Sequence, residues 1–256
     1  PRRISLPVAN RWGEGRMAVL DFGDADRPVD LVFVHANGFT ALTYRTLLAP
    51  LSGSLRLWAP DLRGHGGTTL PADPNGRRNW ADHRDDLVAL LDAIDGPPVV
   101  LAGHSMGATS ALLAAAERPD RVSGLVLFDP VIWSRWAVAA FQLPLLDRIA
   151  SRIPLVKAAR RRRAVFDSRE QAMAAYAGRG AFKSWPEMVL ADYPTSRATP
   201  CSRRPSRAKP AWTRSGPVSD FAPELCGGLI HGIGGIAKRF LLNRSGSGLA
   251  SVPARR

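Results

Sequence analysis

Pro98-Val99-Val100-Leu101-Ala102-Gly103-His104-Ser105-Met106-Gly107 joins an apolar run to an alanine-rich stretch that continues to Glu117. The order is strand, then Gly-x-Ser-x-Gly, then helix, and this context gives the pattern its mechanical meaning. A serine at the tip of a very tight strand-to-helix turn is forced into a strained backbone conformation. Only small neighbours, here Gly103 and Gly107, let strand and helix pack closely beneath it. The hydroxyl then stands proud of the sheet. The first N–H groups of the helix, starting at Met106, lie beside whatever carbonyl the serine attacks and can stabilise a developing oxyanion. Ser105 is therefore the candidate nucleophile. The competing reading, a glycine-flanked turn without chemistry, is disfavoured by the flanking strand and helix.

Outward from this turn, hydrophobic patterning alternates between two periods. Residues 4–8 and 17–22 read as an opening antiparallel pair of strands around Gly13-Glu14-Gly15. Residues 31–34 form a continuous apolar run, as expected of a strand buried on both faces, and empty into His35-Ala36-Asn37-Gly38-Phe39. Helical spacing follows at 44–51, then a strand at 55–59 ending in Pro60-Asp61-Leu62-Arg63-Gly64-His65-Gly66. Asn79 is a candidate cap for an amphipathic helix over 80–94. Residues 99–102, 106–117 and 122–128 give strand, helix and strand, the last delivering Asp129-Pro130.

Strands alternating with helices predict an α/β fold with a doubly wound, mostly parallel sheet whose strand ends carry the ligand-facing groups. His35, Asp61, Ser105 and Asp129 all fall at such ends. Residues 131–195 break the alternation with a helical pattern carrying Trp133, Trp136, Phe141, Leu143 and Leu145, as an insertion over the sheet edge would.

Composition excludes several classes. The chain has 256 residues and only two cysteines, Cys201 and Cys226, so no disulfide framework or zinc spacing is present and a reducing, cytoplasmic compartment is expected. No apolar run approaches the ~20 residues of a membrane-spanning helix. The start, Pro1-Arg2-Arg3-Ile4, has no signal-peptide hydrophobic region, and without Met it reads as an incomplete N-terminus. The net charge of +13 is concentrated late: residues 1–195 hold 24 Lys/Arg against 20 Asp/Glu, whereas 196–256 hold 11 against 2. The one dense basic run before that, Arg160 to Arg163, lacks interleaved aromatics and reads as a solvated helix face. Neither nucleic acid nor a membrane is the expected partner. Nothing in the sequence specifies an oligomeric state.

The three loop motifs, His35 to Phe39, Asp61 to Gly66 and Gly103 to Gly107, occur in the order and context of the α/β-hydrolase superfamily, which the chain resembles over about residues 4–195. The resemblance implies an eight-stranded sheet, a helical cap between the sixth and seventh strands, a Ser-His-acid triad, and no metal or organic cofactor. Domains are then expected at 1–130 for the core and 131–195 for the cap. Members with an aspartate nucleophile, such as haloalkane dehalogenases and epoxide hydrolases, are disfavoured by serine at 105, and an acyl-serine route is implied. The resemblance places the oxyanion donors at the N–H of Met106 and one in the 35–39 loop, with Asn37 favoured by its place after His35-Ala36; the family usually has glycine where Ala36 stands. It makes Asp129, ending the sixth strand, the candidate acid, although the family more often carries the acid after the seventh. A turn aspartate before Pro130 is the competing reading.

Of the five histidines, His35 and His65 belong to the loop motifs as structural hydrogen-bonders, and His104 precedes the nucleophile and points away from its hydroxyl. His83, within Asp82-His83-Arg84-Asp85, is expected to face solvent. His231, in Leu229-Ile230-His231-Gly232, remains as the candidate general base, although Cys226-Gly227-Gly228 before it is poor strand material.

From Thr195 the text becomes rich in Arg, Ser, Pro and Gly and loses its acids, so residues 196–256 form an atypical basic tail in which the C-terminal strands are expected to be missing or disordered. A reading-frame shift near 194–196 would account for this, since a GC-rich gene read out of frame yields such text. A genuine basic tail is the rival. The expected activity is a serine hydrolase acting on a carboxylic ester or similar small acyl substrate. The alternatives are a catalytically dead hydrolase-like scaffold that binds a small molecule or partner, and a binder of anionic surfaces led by the tail.

Overall fold

The computed structural model describes residues 1–72, 79–132, 168–195, 239–243 and 250–252. Strands β1 (Arg2–Asn10) and β2 (Gly13–Phe22) form the expected antiparallel hairpin. Then come β3 (Leu31–Val34), α1 (Arg45–Leu48) between 3-10 turns Ala41–Tyr44 and Ala49–Gly53, β4 (Leu57–Pro60) and α2 (Ala81–Asp92). The centre of the fold is β5 (Val99–His104), α3 (Met106–Glu117) and β6 (Val122–Phe128). Helices α4 (Arg169–Tyr176) and α5 (Glu187–Thr195) flank a 3-10 turn Gly180–Phe182, and β7 (Arg239–Asn243) and β8 (Ala250–Val252) complete the described elements.

The eight strands make one sheet in the order β1-β2-β4-β3-β5-β6-β7-β8. Its four central strands, β4, β3, β5 and β6, are parallel, and both flanks are antiparallel. Trp133, Trp136, Phe141, Leu143, Leu145, Arg160 to Arg163, Cys201, Cys226 and His231 lie outside the described residues, as does the stretch 196–238 that follows the expected frame shift near 194–196.

Side chains of the central strands alternate between two cores, which is what a sheet covered on both faces requires. Val32, Val34, Trp58 and Leu101 face Leu87, Leu90 and Leu91 of α2 and Met106, Ala108, Ala111 and Ala114 of α3. Phe33, Leu57, Ala59 and Ala102 face Leu48 of α1 and Leu190 and Tyr193 of α5. The doubly wound expectation therefore has its layers. The cap of α2 falls one residue later than expected, at Trp80, which makes no side-chain cap hydrogen bond; Asn79, just before it, accepts the Ala81 N–H through its Oδ1 at 3.0 Å.

Helix α3 lies closest to the sheet, and two glycines are the reason. A Cβ on Gly107 would come 2.3 Å from the Val34 carbonyl oxygen and 2.4 Å from that of His35; one on Gly103 would come 2.6 Å from the Gly107 carbonyl carbon. These are backbone atoms, which cannot rotate away, so any side chain must separate α3 from β3 or β5. Gly53, by contrast, has open space around it. Gly107→Ala is expected to lower unfolding stability by at least about 2 kcal/mol through overpacking, while Gly53→Ala stays within about 1 kcal/mol of the parent. Urea midpoints of the two variants, measured side by side, check this; equal midpoints would remove the close-packing account of the turn.

Candidate active site

Ser105 forms the junction of β5 and α3 with φ 54° and ψ −120°. For a residue with a Cβ this left-handed backbone costs about 1–3 kcal/mol and persists only where the surroundings over-determine it. They do so here. Its N–H donates to the Phe128 carbonyl of β6 at 2.9 Å, its own carbonyl accepts the Thr109 N–H at 3.1 Å, and the two flanking glycines close the turn. The N–H groups that open α3, Met106 first, have no intrahelical acceptors and point out of the helix start beside the serine.

The loop after β3 is packed against that helix start by the Gly107 contact. Of the four N–H groups from Ala36 to Phe39, three are taken. Ala36 donates to the Tyr44 hydroxyl at 3.1 Å, Gly38 to His65 Nε2 at 3.2 Å, and Phe39 to the Ala36 carbonyl at 3.1 Å. Among the described residues the Asn37 N–H has no such acceptor. Asn37 is the position at which the resemblance places the second oxyanion donor. Asn37 is half-buried, at the mouth of the loop.

Asp129 follows β6 directly. His104 pairs in register with Phe128, so Ser105 and Asp129 are the next neighbours along the two parallel strands. Asp129 is exposed and has φ 48°, the second positive-φ residue other than glycine among the described residues. The chain after it is clamped to α3: Thr109 Oγ1 accepts the Val131 N–H at 2.9 Å and lies 3.0 Å from the Val131 carbonyl. Thr109 was invisible in the sequence, since a threonine inside a helical run carries no signal for a loop 22 residues away.

The histidines divide clearly. His35 is wholly buried; its Nε2 accepts the Leu62 N–H at 2.9 Å and its Nδ1–H donates to the Ala36 carbonyl at 2.8 Å. Burial pushes its pKa from 6.5 down to about 4, against the smaller upward pull of the Ala36 carbonyl. His65 accepts from Gly38 and reaches the Arg63 carbonyl at 2.9 Å. Both rings are thus committed to shaping loops. His104 Nδ1 lies 2.7 Å from the Tyr44 hydroxyl, and burial holds its pKa near 4 despite the nearby Asp129 charge.

His83 corrects the sequence reading: it is fully buried rather than solvent-facing. The charges around it do not mark a wet face. Arg63, itself 2% exposed, reaches Asp86 through Nε at 2.9 Å and through its terminal nitrogen at 2.6 Å, with Asp82 4.0 Å away, so one side of α2 is turned inward onto a buried guanidinium. Among the described residues no group of three or more His, Cys, Asp or Glu is arranged to hold a metal ion, and no helix is long and apolar enough to cross a membrane.

Residues 168–195 cover the loop after β3 from the opposite side. Asp192 of α5, 1% exposed, accepts the Thr46 N–H at 2.9 Å and the Thr46 hydroxyl at 2.6 Å and pairs with Arg45 at 2.5 Å. Tyr176, Phe182, Trp185 and Tyr193 make an aromatic cluster that meets Phe39, whose ring centre is 5.7 Å from Trp185, 5.4 Å from Tyr193 and 6.4 Å from His104. These rings belong to the core on that face of the sheet, with Tyr193 wholly buried.

Comparison with known proteins agrees with this architecture. A model described as the alpha/beta hydrolase family matches residues 31–245. The chain is 35% identical over 119 residues to a haloalkane dehalogenase of Sphingobium indicum, covering 45% of this chain and 39% of that protein. It is 36% identical over 108 residues to a 2-hydroxymuconate semialdehyde hydrolase of Pseudomonas sp. (strain CF600), covering 41% of this chain and 37% of that protein. The aligned part thus spans well under half the length of these relatives. Among solved structures, E-2-(acetamidomethylene)succinate hydrolase superposes with a TM-score of 0.56 at 26% identity, covering 76% of this chain and 64% of that one.

The buried neutral histidines make stability sensitive to acid. Between pH 6.5 and about 4 the unfolded chain binds protons that folded His35 and His104 refuse, so stability falls as pH drops through that window, by up to about 3 kcal/mol for the wholly buried His35 and by less for the half-buried His104. Asp61 works in the opposite direction, because burial raises its pKa above that of an ordinary carboxylate. The informative quantity is therefore the difference between proteins. His35→Gln, whose amide oxygen can still accept the Leu62 N–H, should lose less of its urea midpoint between pH 7 and pH 4.5 than the parent does. Identical pH slopes would contradict the neutral, buried state of His35.

Proposed function

The chain belongs to the alpha/beta hydrolase family, and on that footing we propose that it is a serine hydrolase that cleaves a carboxylic ester or similar small acyl substrate. The observation that carries this reading is Ser105 at φ 54° on the head of α3, over Gly103 and Gly107. In the proposed sequence Ser105 Oγ attacks the ester carbonyl while a base removes its proton. The resulting oxyanion is held by the N–H groups of Met106 and Asn37. The tetrahedral intermediate then expels the alcohol, which takes the proton from the base, and water repeats the attack on the acyl-serine to release the acid.

Serine also argues against the reaction named for the dehalogenase relative. Displacement of a halide by a serine oxygen would leave an alkyl ether, with no carbonyl for water to attack, and the enzyme would stop after one turnover.

His35 and His65 have both ring nitrogens committed, His104 is engaged by Tyr44, and His83 is buried on α2. His231, the fifth and last histidine of the chain, lies outside the described residues and remains the candidate for the base, with Asp129 the candidate acid. That the four described histidines are all occupied elsewhere favours one second reading, a hydrolase scaffold without a base that binds its ligand and does not turn it over.

A fluorophosphonate probe and an aryl ester separate the two readings. The parent chain should be labelled, Ser105→Ala should not be, and ester turnover by Ser105→Ala should fall to background. His231→Ala should lower the labelling rate by about 10²–10⁴-fold. Absence of labelling in the parent would establish the scaffold reading, and an undiminished rate in His231→Ala would take the base role from that residue.

A further inference from the structure

Tyr44 lies at the end of the 3-10 turn Ala41–Tyr44 and takes no part in the chemistry proposed above, yet its hydroxyl touches both halves of the site. It accepts the N–H of Ala36, the residue before the Asn37 donor, at 3.1 Å. It also lies 2.7 Å from Nδ1 of His104, the residue before the nucleophile. The roles in this pair follow the His104 tautomer: with the imidazole proton on Nε2, the hydroxyl accepts from Ala36 and donates to Nδ1. The tyrosine ring has little freedom: it is 7% exposed and packs against Phe33 at 4.7 Å, Phe39 at 6.0 Å and His104 at 6.0 Å between ring centres.

The two oxyanion donors come from different parts of the chain, and only their mutual placement makes them useful. The Met106 N–H is fixed by α3. The Asn37 N–H belongs to a loop whose peptide planes can rotate. We propose that Tyr44 and His104 are positioning residues that hold the oxyanion loop to the nucleophile elbow, so that the N–H groups of Asn37 and Met106 converge on one oxygen. This rests on Ser105 acting as an acyl nucleophile. The Tyr44 hydroxyl also keeps the Ala36 N–H occupied, which leaves Asn37 as the loop's donor. Neither side chain touches the substrate; both act through the backbone they fix.

The test uses the full chain and the fluorophosphonate reaction resolved into its binding constant and its limiting rate, with thermal melting as a folding control. Tyr44→Phe keeps the ring and removes the link; the limiting rate should fall about 10–100-fold while binding changes by no more than about twofold. His104→Leu should do the same. His104→Asn, whose amide oxygen takes the place of Nδ1 as acceptor, should recover the rate to within about threefold of the parent. Because both losses come from one bridge, the double variant Tyr44→Phe/His104→Leu should react no more slowly than the slower single variant.

A parent-like limiting rate in Tyr44→Phe, losses that multiply in the double variant, or a change confined to binding would each overturn the proposal. A purely structural role would show as lowered melting temperature with the limiting rate of the folded protein intact. If the parent itself is not labelled, the serine-hydrolase reading fails and this proposal goes with it. If the parent is labelled and Tyr44→Phe matches it, only the positioning role fails.

Discussion

The rest of the site depends on one contact in which no side chain intervenes: the first turn of α3 lies directly on the backbone that ends β3, with the Val34 and His35 carbonyls occupying the space a Cβ of residue 107 would need. That approach brings a helix start, with its unpaired N–H groups, next to a loop from a different strand. Ser105 is at the tip because the chain must reverse within one residue, and its φ of 54° is the local cost of that reversal. The small Ala108, Ala111 and Ala114 then let the whole helix keep the distance set at its first turn. The strained turn at Ser105, the helix start beside it and the placement of the loop after β3 are consequences of a single packing contact.

Beneath the site, polar groups that would ordinarily seek water have been given fixed partners. Asp61 accepts the N–H groups of Ala41 at 2.8 Å and Gly67 at 2.9 Å, so the loop after β4 shapes the one after β3. His35 and His65 lie with ring centres 4.9 Å apart, and His83 is 6.4 Å beyond His65. Arg63 adds Asp86 on α2 and the carbonyls of Trp12 and Pro71. Buried charges are tolerated only where such partners exist, and removing one partner strands the other. The Asp61-to-Gly66 motif therefore serves as a scaffold for the reactive loop rather than as a source of reacting groups.

The elements that follow from local periodicity were legible. Residues 31–34, 106–117 and 122–128 match β3, α3 and β6 end for end, because a strand buried on both faces and an alanine-rich helix announce themselves in the composition of a short window. The elbow was legible for a different reason: Gly103 and Gly107 answer a steric requirement that no other residue satisfies. His83 was misread because four charged or titratable residues in a row look solvated, and only the tertiary position of Arg63, some twenty residues earlier, turns them inward. Tyr44 was not legible as a site residue at all. Its two partners lie 8 and 60 positions away on opposite sides in sequence, and no periodicity encodes a bond between them.

The Asp192 link has a consequence for the order in which the molecule is put together. Its bonds to Thr46 join residues 146 positions apart, whereas the parallel pairing of β3, β4, β5 and β6 is complete by residue 128. A chain emerging from the ribosome at about 5–20 residues per second has the elbow and its sheet available several seconds before the segment that covers the loop has been made. During that interval Phe39 lacks the Trp185 and Tyr193 rings that pack on it in the finished fold. The aromatic cluster is thus a late addition to the fold, and one face of Phe39 is uncovered until it arrives.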